Sequence, residues 1–190
     1  MDQNFTKLAF TDSVKEVQQH YGTRDSYSKM ETSGDRFTLT FNERSFIESR
    51  DSFYMGTVGE NGWPYVQFRG GPKGFLKVVD NTTMAYVDFR GNGQYISTGN
   101  INENNKTSLF LMDYPSQRRL KIWVETSIIK ADENEQLLKQ LQVDDYKARV
   151  ERIVTFKVRA YDWNCPQHIT PRYTLDEIEK FKNDINNDTL

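Results

Sequence analysis

The segment from Pro64 to Asn102 limits the fold of this chain more than any other part of its 190 residues. It contains three runs typical of β-strands: Pro64–Phe68, Phe75–Val79 and Thr83–Phe89. Glycine-rich corners follow the first and third runs, at 69–74 (RGGPKG) and 90–93 (RGNG). Glycine lets the backbone approach a ligand and expose its N–H groups, and the neighbouring Lys and Arg side chains suit a phosphate. The segment therefore predicts short strands with a binding site at their glycine-rich ends.

The rest of the chain alternates similar runs with turns and short helical patterns. The other predicted strands are Phe53–Val58, Ser108–Asp113, Leu120–Ala131 and Ile153–Tyr161. The predicted helices are Ser13–Tyr21, Glu43–Arg50, Gly93–Glu103, Asp132–Gln142 and Thr174–Ile185. Strands predominate, and aromatic residues, at 13%, are plentiful enough to cover half-buried sheet faces. The pattern predicts one mainly β domain over residues 1–190, a closed or partly open antiparallel barrel with peripheral helices.

Charge and cysteine content exclude several classes of function. The net charge of −2 gives no general attraction to nucleic acid or to an anionic membrane. The single cysteine, Cys165, excludes an internal disulfide and suits a reducing compartment. No apolar run is long enough to span a membrane, and the N-terminus lacks a signal-peptide core. We expect a cytoplasmic protein that binds neither nucleic acid nor membranes.

The glycine-rich corners match no standard phosphate motif. The first corner lacks the spacing and the Lys-Ser/Thr ending of a Walker loop. In the second, Ile96 stands at the position of the third glycine of a dinucleotide-binding fingerprint. Both corners could equally be plain hairpin corners, and the residues alone do not decide between that explanation and a binding site. Lys77 is a charge inside an apolar run, so it either points to solvent or reaches a buried anion.

The segment Cys165 to His168 invites a metal or nucleophile interpretation. A closed zinc site would need distant carboxylates, because the chain has one cysteine and two histidines. A catalytic base normally comes from elsewhere in the fold, whereas His168 is a local neighbour of Cys165. We therefore expect no metal and interpret both residues as core or lining residues.

Five segments, in order, resemble the pyridoxamine phosphate oxidase-like, FMN-binding split-barrel proteins, and most closely the branch called predicted flavin-nucleotide-binding proteins. They are GTVGENGWPYVQFRGGPKGFLKVVD, DFRGNGQYISTGNI, SLFLMDY, RRLKIWVETSII and AYDWNCPQHITPR, and together they span roughly Phe46 to Arg172. The resemblance implies a homodimer of six-stranded antiparallel Greek-key split β-barrels with peripheral α-helices. It places an FMN in each of two clefts at the subunit interface. Residues 1–40 form an N-terminal extension outside the resemblance, and 174–186 a C-terminal helix.

The resemblance also implies cofactor contacts. Lys77 would reach the flavin from its strand, 94–97 would form the phosphate-binding turn, and Trp163 would border the ring from the partner subunit. Gln67 and Arg69 are added because they adjoin the first glycine-rich corner. The complete set of cofactor-binding candidates is Gln67, Arg69, Phe75, Leu76, Lys77, Gln94, Tyr95, Ser97, Arg119, Trp163 and Arg172.

Two departures from the true oxidases affect the expected reaction. Their Ser-Arg-Lys at the phosphate turn is replaced by 95–97 (YIS), and their Arg-x-His substrate motif by 167–172 (QHITPR). Gln167 and His168 become the substrate-binding candidates, and no catalytic residue is assigned. The sequence thus predicts a flavin-dependent oxidoreductase of an unknown small substrate, not a pyridoxamine phosphate oxidase. A non-catalytic flavin-binding or flavin-storage protein stays open, as does a cofactor-free β-barrel dimer.

Overall fold

One antiparallel sheet carries the fold in the computed structural model, which describes residues 4–32, 37–142 and 146–187. Within these ranges seven strands form: β1 (Ser52–Val58), β2 (Pro64–Gly70), β3 (Lys77–Asp80), β4 (Thr83–Phe89), β5 (Lys106–Asp113), β6 (Arg118–Lys130) and β7 (Val150–Trp163). Their order in the sheet is β2-β1-β5-β6-β7-β4-β3, and every neighbouring pair is antiparallel. Each of the seven predicted runs forms a strand, so the count exceeds by one the six that the family resemblance implied.

The sheet is rolled into a barrel that stays open between β2 and β3. Phe53 of β1 contacts Tyr86 of β4 and Phe156 of β7, with ring centroids 5.6 and 6.0 Å apart, although these strands are not neighbours in the sheet. Arg69 of the edge strand β2 similarly pairs with Asp88 of β4. Only a curled sheet brings these residues together, so the predicted split-barrel class is confirmed.

Strand alternation decides which side chains fill the barrel. Along β1 and β5, buried residues alternate with exposed or half-buried ones, as expected when successive side chains point to opposite faces. The largest fully buried side chains of the interior are Phe53, Phe156, Ile47, Met55, Leu76, Met84, Leu109, Leu111, Leu120 and Ile122, whereas Leu141 and Ile153 belong to a second cluster beneath the helix Glu135–Leu141. Each buried side chain of this size contributes about 1.5–3 kcal/mol of hydrophobic stabilisation, so this interior is the main source of stability.

Helices surround the barrel. They are α1 (Phe5–Ala9), α2 (Asp12–His20), α3 (Arg24–Glu31), α4 (Phe41–Glu48), α5 (Ile96–Glu103), α6 (Glu135–Leu141) and α7 (Leu175–Asn187). The five predicted helices are present, whereas α1 and α3 were not predicted. No helix in the described ranges is long and apolar enough to cross a membrane.

Helix caps explain where several boundaries differ from those predicted. The α4 helix begins at Phe41 instead of Glu43, because Thr40 forms a capping box in which its backbone N–H donates to the Glu43 carboxylate at 3.0 Å. The α6 helix begins at Glu135 instead of Asp132, because Asn134 caps it through Oδ1, which accepts from the backbone N–H of Leu137. Thr174 and Glu177 form a capping box at the start of α7.

The N-terminal extension packs on the outer face of the barrel through Phe5 and Trp123. Phe5 is buried and stacks on Trp123 of β6, with ring centroids 6.0 Å apart and an interplanar angle of 26°. Lys121, two residues before Trp123 on the same face, pairs with Asp162 of β7 at 3.2 Å. Trp123 therefore serves as a docking point for the extension.

Candidate functional site

A cleft lies where β2, β4 and β7 meet the start of α5, and we call it the glycine-loop cleft. Its cavity volume is about 60 Å³, so within a single subunit the cleft is small. Its lining comprises Tyr65, Gln67, Arg69, Asp88, Phe89, residues 91–95, Ile96, Ser97, Thr98, Glu151 and Arg152. Four separate elements thus converge on one cavity.

The loop between β4 and α5 leaves the start of the helix open to the cleft. Gly93 (φ 75°) and Tyr95 (φ 54°) adopt left-handed backbone conformations, so α5 begins at Ile96 and not at Gly93 as predicted. The side chain of Asn92 accepts a hydrogen bond from the backbone of Gln94 at 3.1 Å. Tyr95 at the N-cap makes no side-chain capping bond, and the first turn has no acidic residue. The positive end of the α5 dipole therefore faces the cleft.

Two hydrogen bonds fix α5 against the sheet. Ser97 is 1% exposed, and its Oγ donates to Oε1 of Gln67 on β2 at 2.9 Å. One turn later, Nδ2 of Asn100 donates to Oγ1 of Thr57 on β1 at 3.0 Å. The first turn of α5 is thereby held in register with β2.

Asp88 joins two arginines at the floor of the cleft. Its Oδ1 lies 3.1 Å from Nη1 of Arg69, and its Oδ2 lies 3.3 Å from Nε of Arg152. Arg152 also donates through Nη1 to Oγ1 of Thr98 at 3.0 Å. Burial raises the pKa of the Asp88 carboxyl, and the two guanidinium groups oppose that rise. Nε of Arg69 is buried without a hydrogen-bond partner, so it retains a donor for a ligand.

The rim of the cleft carries a second, exposed charge pair. The hydroxyl of Tyr95 donates to Oε1 of Glu151 at 2.6 Å, and Oε2 of Glu151 lies 2.6 Å from Nη2 of Arg152. The Arg152 guanidinium also lies 4.9 Å from the centre of the Tyr95 ring. The hydrogen bond from Tyr95, followed by that from Arg152, lowers the pKa of Glu151, and the same bond raises the pKa of Tyr95.

A second depression lies on the outer face of the barrel, and we call it the tail groove. It is lined by Tyr54, Phe110, Met112, Tyr114, Arg119, His168, Ile169, Thr170 and Arg172. Nε2 of Gln117 donates to the carbonyl of Ile169 at 2.6 Å, which holds the segment after β7 against the β5–β6 turn. A hydrogen bond with Tyr54 is the main cause that raises the pKa of Tyr114.

The two arginines of the tail groove have no acidic partner within the described ranges. The guanidinium of Arg172 lies 5.0 Å from the centre of the Tyr114 ring. Nε of Arg119 is buried without a hydrogen-bond partner. The groove is therefore cationic and aromatic, a composition suited to an anionic planar ligand.

The structure divides the predicted site residues between these two places. Those in the glycine-loop cleft are Gln67, Arg69, Gln94, Tyr95 and Ser97. Those in the tail groove are Arg119, Arg172 and the substrate candidate His168. Among the described residues, the two sets line different cavities.

Three predicted cofactor contacts on the β3 segment lie elsewhere. The side chains of Phe75 and Leu76 are buried in the barrel core, where Phe75 stacks on Phe53. Lys77, between Leu76 and the buried Val78, points to the opposite, outer face because side chains alternate along a strand. Its Nζ donates to the carbonyls of Gln140 and Gln142 at the end of α6, at 3.1 and 3.2 Å. The Lys77 amine is therefore held by two backbone carbonyls on the outer face, and the side chain does not line the cleft.

Trp163 also lies outside both cavities. It pairs in register with the buried Leu120, and its ring packs edge-on against Phe46 at 4.8 Å. Its Nε1 donates to Oε1 of Glu43 at 2.8 Å. Trp163 thus closes one end of the barrel beneath α4, which its position at the end of β7 does not reveal.

Two polar residues of the tail segment differ from their predicted surroundings. Gln167 lies in an exposed turn and lines neither cavity. Cys165 is exposed, so its interpretation as a core residue is wrong. Its neighbour His168 fits the lining alternative, since it borders the tail groove.

Sequence reasoning missed Asp88, Glu151 and Arg152 of the cleft. The signal for Asp88 was present, because it is a charge inside the apolar run 83–89, the criterion that drew attention to Lys77. Arg152 and Glu151 precede the predicted start of β7 at Ile153, so they were not placed on a strand. Their role depends on the pairing of β7 with β4, in which Asp88 lies opposite Arg152.

Comparison with known proteins identifies one family and solved structures with a similar fold. A family profile described as "Pyridoxamine 5'-phosphate oxidase" matches residues 39–165. HupZ from Group A Streptococcus superposes with a TM-score of 0.53 at 14% identity, over 71% of this chain and 99% of that chain. A putative pyridoxamine 5'-phosphate oxidase from Lactobacillus delbrueckii gives a TM-score of 0.51 at 18% identity, over 66% and 93%. These two likenesses concern the fold alone. No curated protein matches the chain.

Proposed function

The chain belongs to the pyridoxamine 5'-phosphate oxidase family, and from that premise we propose that it binds FMN in the glycine-loop cleft and acts as a flavin-dependent oxidoreductase. The observation that carries the proposal is the uncapped first turn of α5, which opens onto the cleft beside Arg69. A helix start supplies backbone N–H donors and a positive dipole end, which together favour a phosphate.

The residues of the cleft fit a flavin nucleotide. The backbone of 96–98 and the buried, unpartnered Nε of Arg69 would hold the phosphate. Gln67, fixed by Ser97, would offer its amide to the polar edge of the ring. Bound FMN supplies hydride and electron transfer, and the protein contributes orientation and electrostatics.

A second copy of the chain is part of the proposal. The outer face of β1 and β2 exposes a continuous apolar surface, with Val66 64% and Phe68 57% exposed beside Tyr54 and Val58. Apolar faces of this kind mark interaction sites. Tyr54 also lines the tail groove, so a homodimer built on this face would bring the partner's groove towards the cleft. Arg119 and Arg172 of one subunit would then complete the flavin site of the other.

The substrate is proposed to be a small molecule other than pyridoxamine phosphate. A phosphorylated amine needs fixed cationic partners in reactive geometry. Of the two tail candidates that stand in place of the Arg-x-His motif of the true oxidases, Gln167 lines neither cavity and His168 borders the tail groove. His168 is exposed, so it would contact the substrate from the surface of the groove.

The test is flavin binding and turnover by the purified protein. We expect a visible flavin spectrum after incubation with FMN, release of FMN on denaturation, and a dimeric mass by light scattering. Oxidation of a reduced nicotinamide with an added acceptor would establish an oxidoreductase. Flavin binding without any turnover would instead identify a flavin-storage protein. Failure to bind FMN at all would leave a β-barrel without this cofactor and would overturn the proposal.

A further inference from the structure

We infer that Asp88 sets the charge selectivity of the glycine-loop cleft, because it holds the two arginines that a phosphate needs and opposes a doubly charged ligand. The inference rests on the proposed function for its ligand, FMN. Its basis is the position of the carboxylate. Asp88 is 8% exposed, and each of its oxygens faces a different guanidinium group.

The charges of the cleft nearly cancel. Arg69 and Arg152 line it, and Arg90 acts on its rim electrostatically. Asp88 and Glu151 oppose these three cations, so the described residues leave a single net positive charge. A phosphate monoester near neutral pH carries close to two negative charges. The cleft is therefore undercharged for such a ligand, and Asp88 is the buried cause.

A phosphate at the start of α5 has to share Arg69 with Asp88. The free Nε of Arg69 provides one donor, but Nη1 is already engaged by the carboxylate. Sharing one guanidinium places two anions side by side, and like charges at such a distance repel strongly. Riboflavin has no phosphate and escapes this repulsion. Asp88 thus reduces the preference of the cleft for FMN over riboflavin.

The experiment compares neutral variants of Asp88 with a matched control. Asp88→Asn keeps the shape of the side chain, and Asp88→Ser is a second neutral variant in case the first folds poorly. Asp162→Asn is the control, since Asp162 is also a buried aspartate paired with a basic residue, Lys121, but on the outer face. Thermal unfolding would verify that each variant is folded.

Three ligands are titrated against each protein: FMN and riboflavin by calorimetry, and inorganic phosphate by the amide shifts of Gly91 and Ser97. We expect Asp88→Asn and Asp88→Ser to bind FMN and phosphate about fivefold more tightly or better, since a like charge is removed. Riboflavin affinity should stay unchanged in every variant, and Asp162→Asn should match the wild type.

Unchanged or weaker FMN binding by the folded Asp88 variants would overturn the inference, since Asp88 would then position Arg69. If the wild type binds neither flavin, the proposed function fails, and the phosphate titration still decides the inference. A gain in phosphate affinity on removing Asp88 would support it, and no gain would overturn it.

Discussion

The glycine-loop cleft and the tail groove each contain two arginines, but only in the cleft are the arginines paired with a carboxylate. In the cleft, Arg69 and Arg152 share the carboxylate of Asp88. In the groove, Arg172 lies over the Tyr114 ring, and neither Arg119 nor Arg172 has an acidic partner within the described ranges. The cleft is an internally balanced, preformed site, whereas the cations of the groove are balanced only by something from outside the subunit. Under the proposed function, the cleft and the groove would be two separate parts of one flavin site.

The largest effect should come from the apolar face that would join these parts. Phe68→Asp places a charge on an exposed strand face, so the barrel should fold normally. A twofold interface uses each residue twice, and losing two buried Phe side chains of about 2 kcal/mol each should weaken self-association about a thousandfold. Light scattering across a dilution series would measure it.

The consequence for binding follows from the same variant. If the groove completes the cleft of the other subunit, monomeric Phe68→Asp protein should also lose FMN affinity although its own cleft is intact. A monomer with unchanged FMN binding would show that the cleft works alone and would break the comparison. Tyr21→Asp, at a residue exposed on the N-terminal helices, provides a control for added surface charge.

The second effect tests the internal balance of the cleft. Arg152→Ala leaves Asp88 with one guanidinium partner and removes the contacts of Arg152 with Glu151 and Thr98. Removing one partner of a mostly buried ion pair should cost about 3 kcal/mol in the free energy of unfolding. Arg119→Ala is the matched control, because no carboxylate loses its partner there. Urea unfolding that gives equal costs for the two variants would contradict the distinction.

The third effect separates the two polar residues that the resemblance linked to FMN. Ser97→Ala removes the hydrogen bond to Gln67 and should weaken FMN binding about tenfold, as expected for one buried polar contact. Lys77→Ala should leave FMN affinity unchanged, because its amine binds carbonyls of the α6 segment. Fluorescence titration of FMN compares the two, and a stronger loss for Lys77→Ala would reverse their assignments.

The smallest effect concerns the exposed rim. The Tyr95 hydroxyl lowers the pKa of Glu151, so the contribution of this bond is present above the usual glutamate pKa and is lost as pH falls through the lowered value. At high pH the bond persists until the raised pKa of Tyr95 is reached. Tyr95→Phe should therefore move the pKa of Glu151 upward, measurable by carbon NMR titration of its carboxyl. An unmoved pKa would assign the lowering to Arg152 alone.

Local patterns were enough to predict the strands and the loop of the cleft. The strands on either side of 59–62 and of Asn81 were predicted because turn residues separate apolar runs there, a signal that acts over a few residues. The glycines at 90–93 predicted an open corner before α5, although the helix begins at Ile96, three residues after the predicted start. Gln67, Arg69, Gln94 and Ser97 consequently meet in one cavity.

The remaining differences between prediction and structure arise where a side chain's direction depends on partners distant in the sequence. Lys77 lies on the right strand, but α6 covers the face to which it points. Trp163 was expected at a flavin, yet its register with Leu120 turns it into the barrel. The role of Asp88 depends on its pairing with Arg152, 64 positions later. Predicting these partners requires the order of strands in the sheet, and the alternation of residues within one strand does not reveal that order.

The order of strands in the sheet has a consequence for how the chain is made. Of the seven described strands, β7 is synthesised last, yet it lies between β6 and β4 and joins the two parts of the sheet. Until Trp163 leaves the ribosome, the β3–β4 hairpin has no strand neighbour, and the edges of β4 and β6 stay unpaired. Unpaired edges invite association with other chains, and distant pairings form slowly. Nascent chains that stop before β7 should therefore depend on chaperones, whereas chains that stop after it already contain every strand of the barrel.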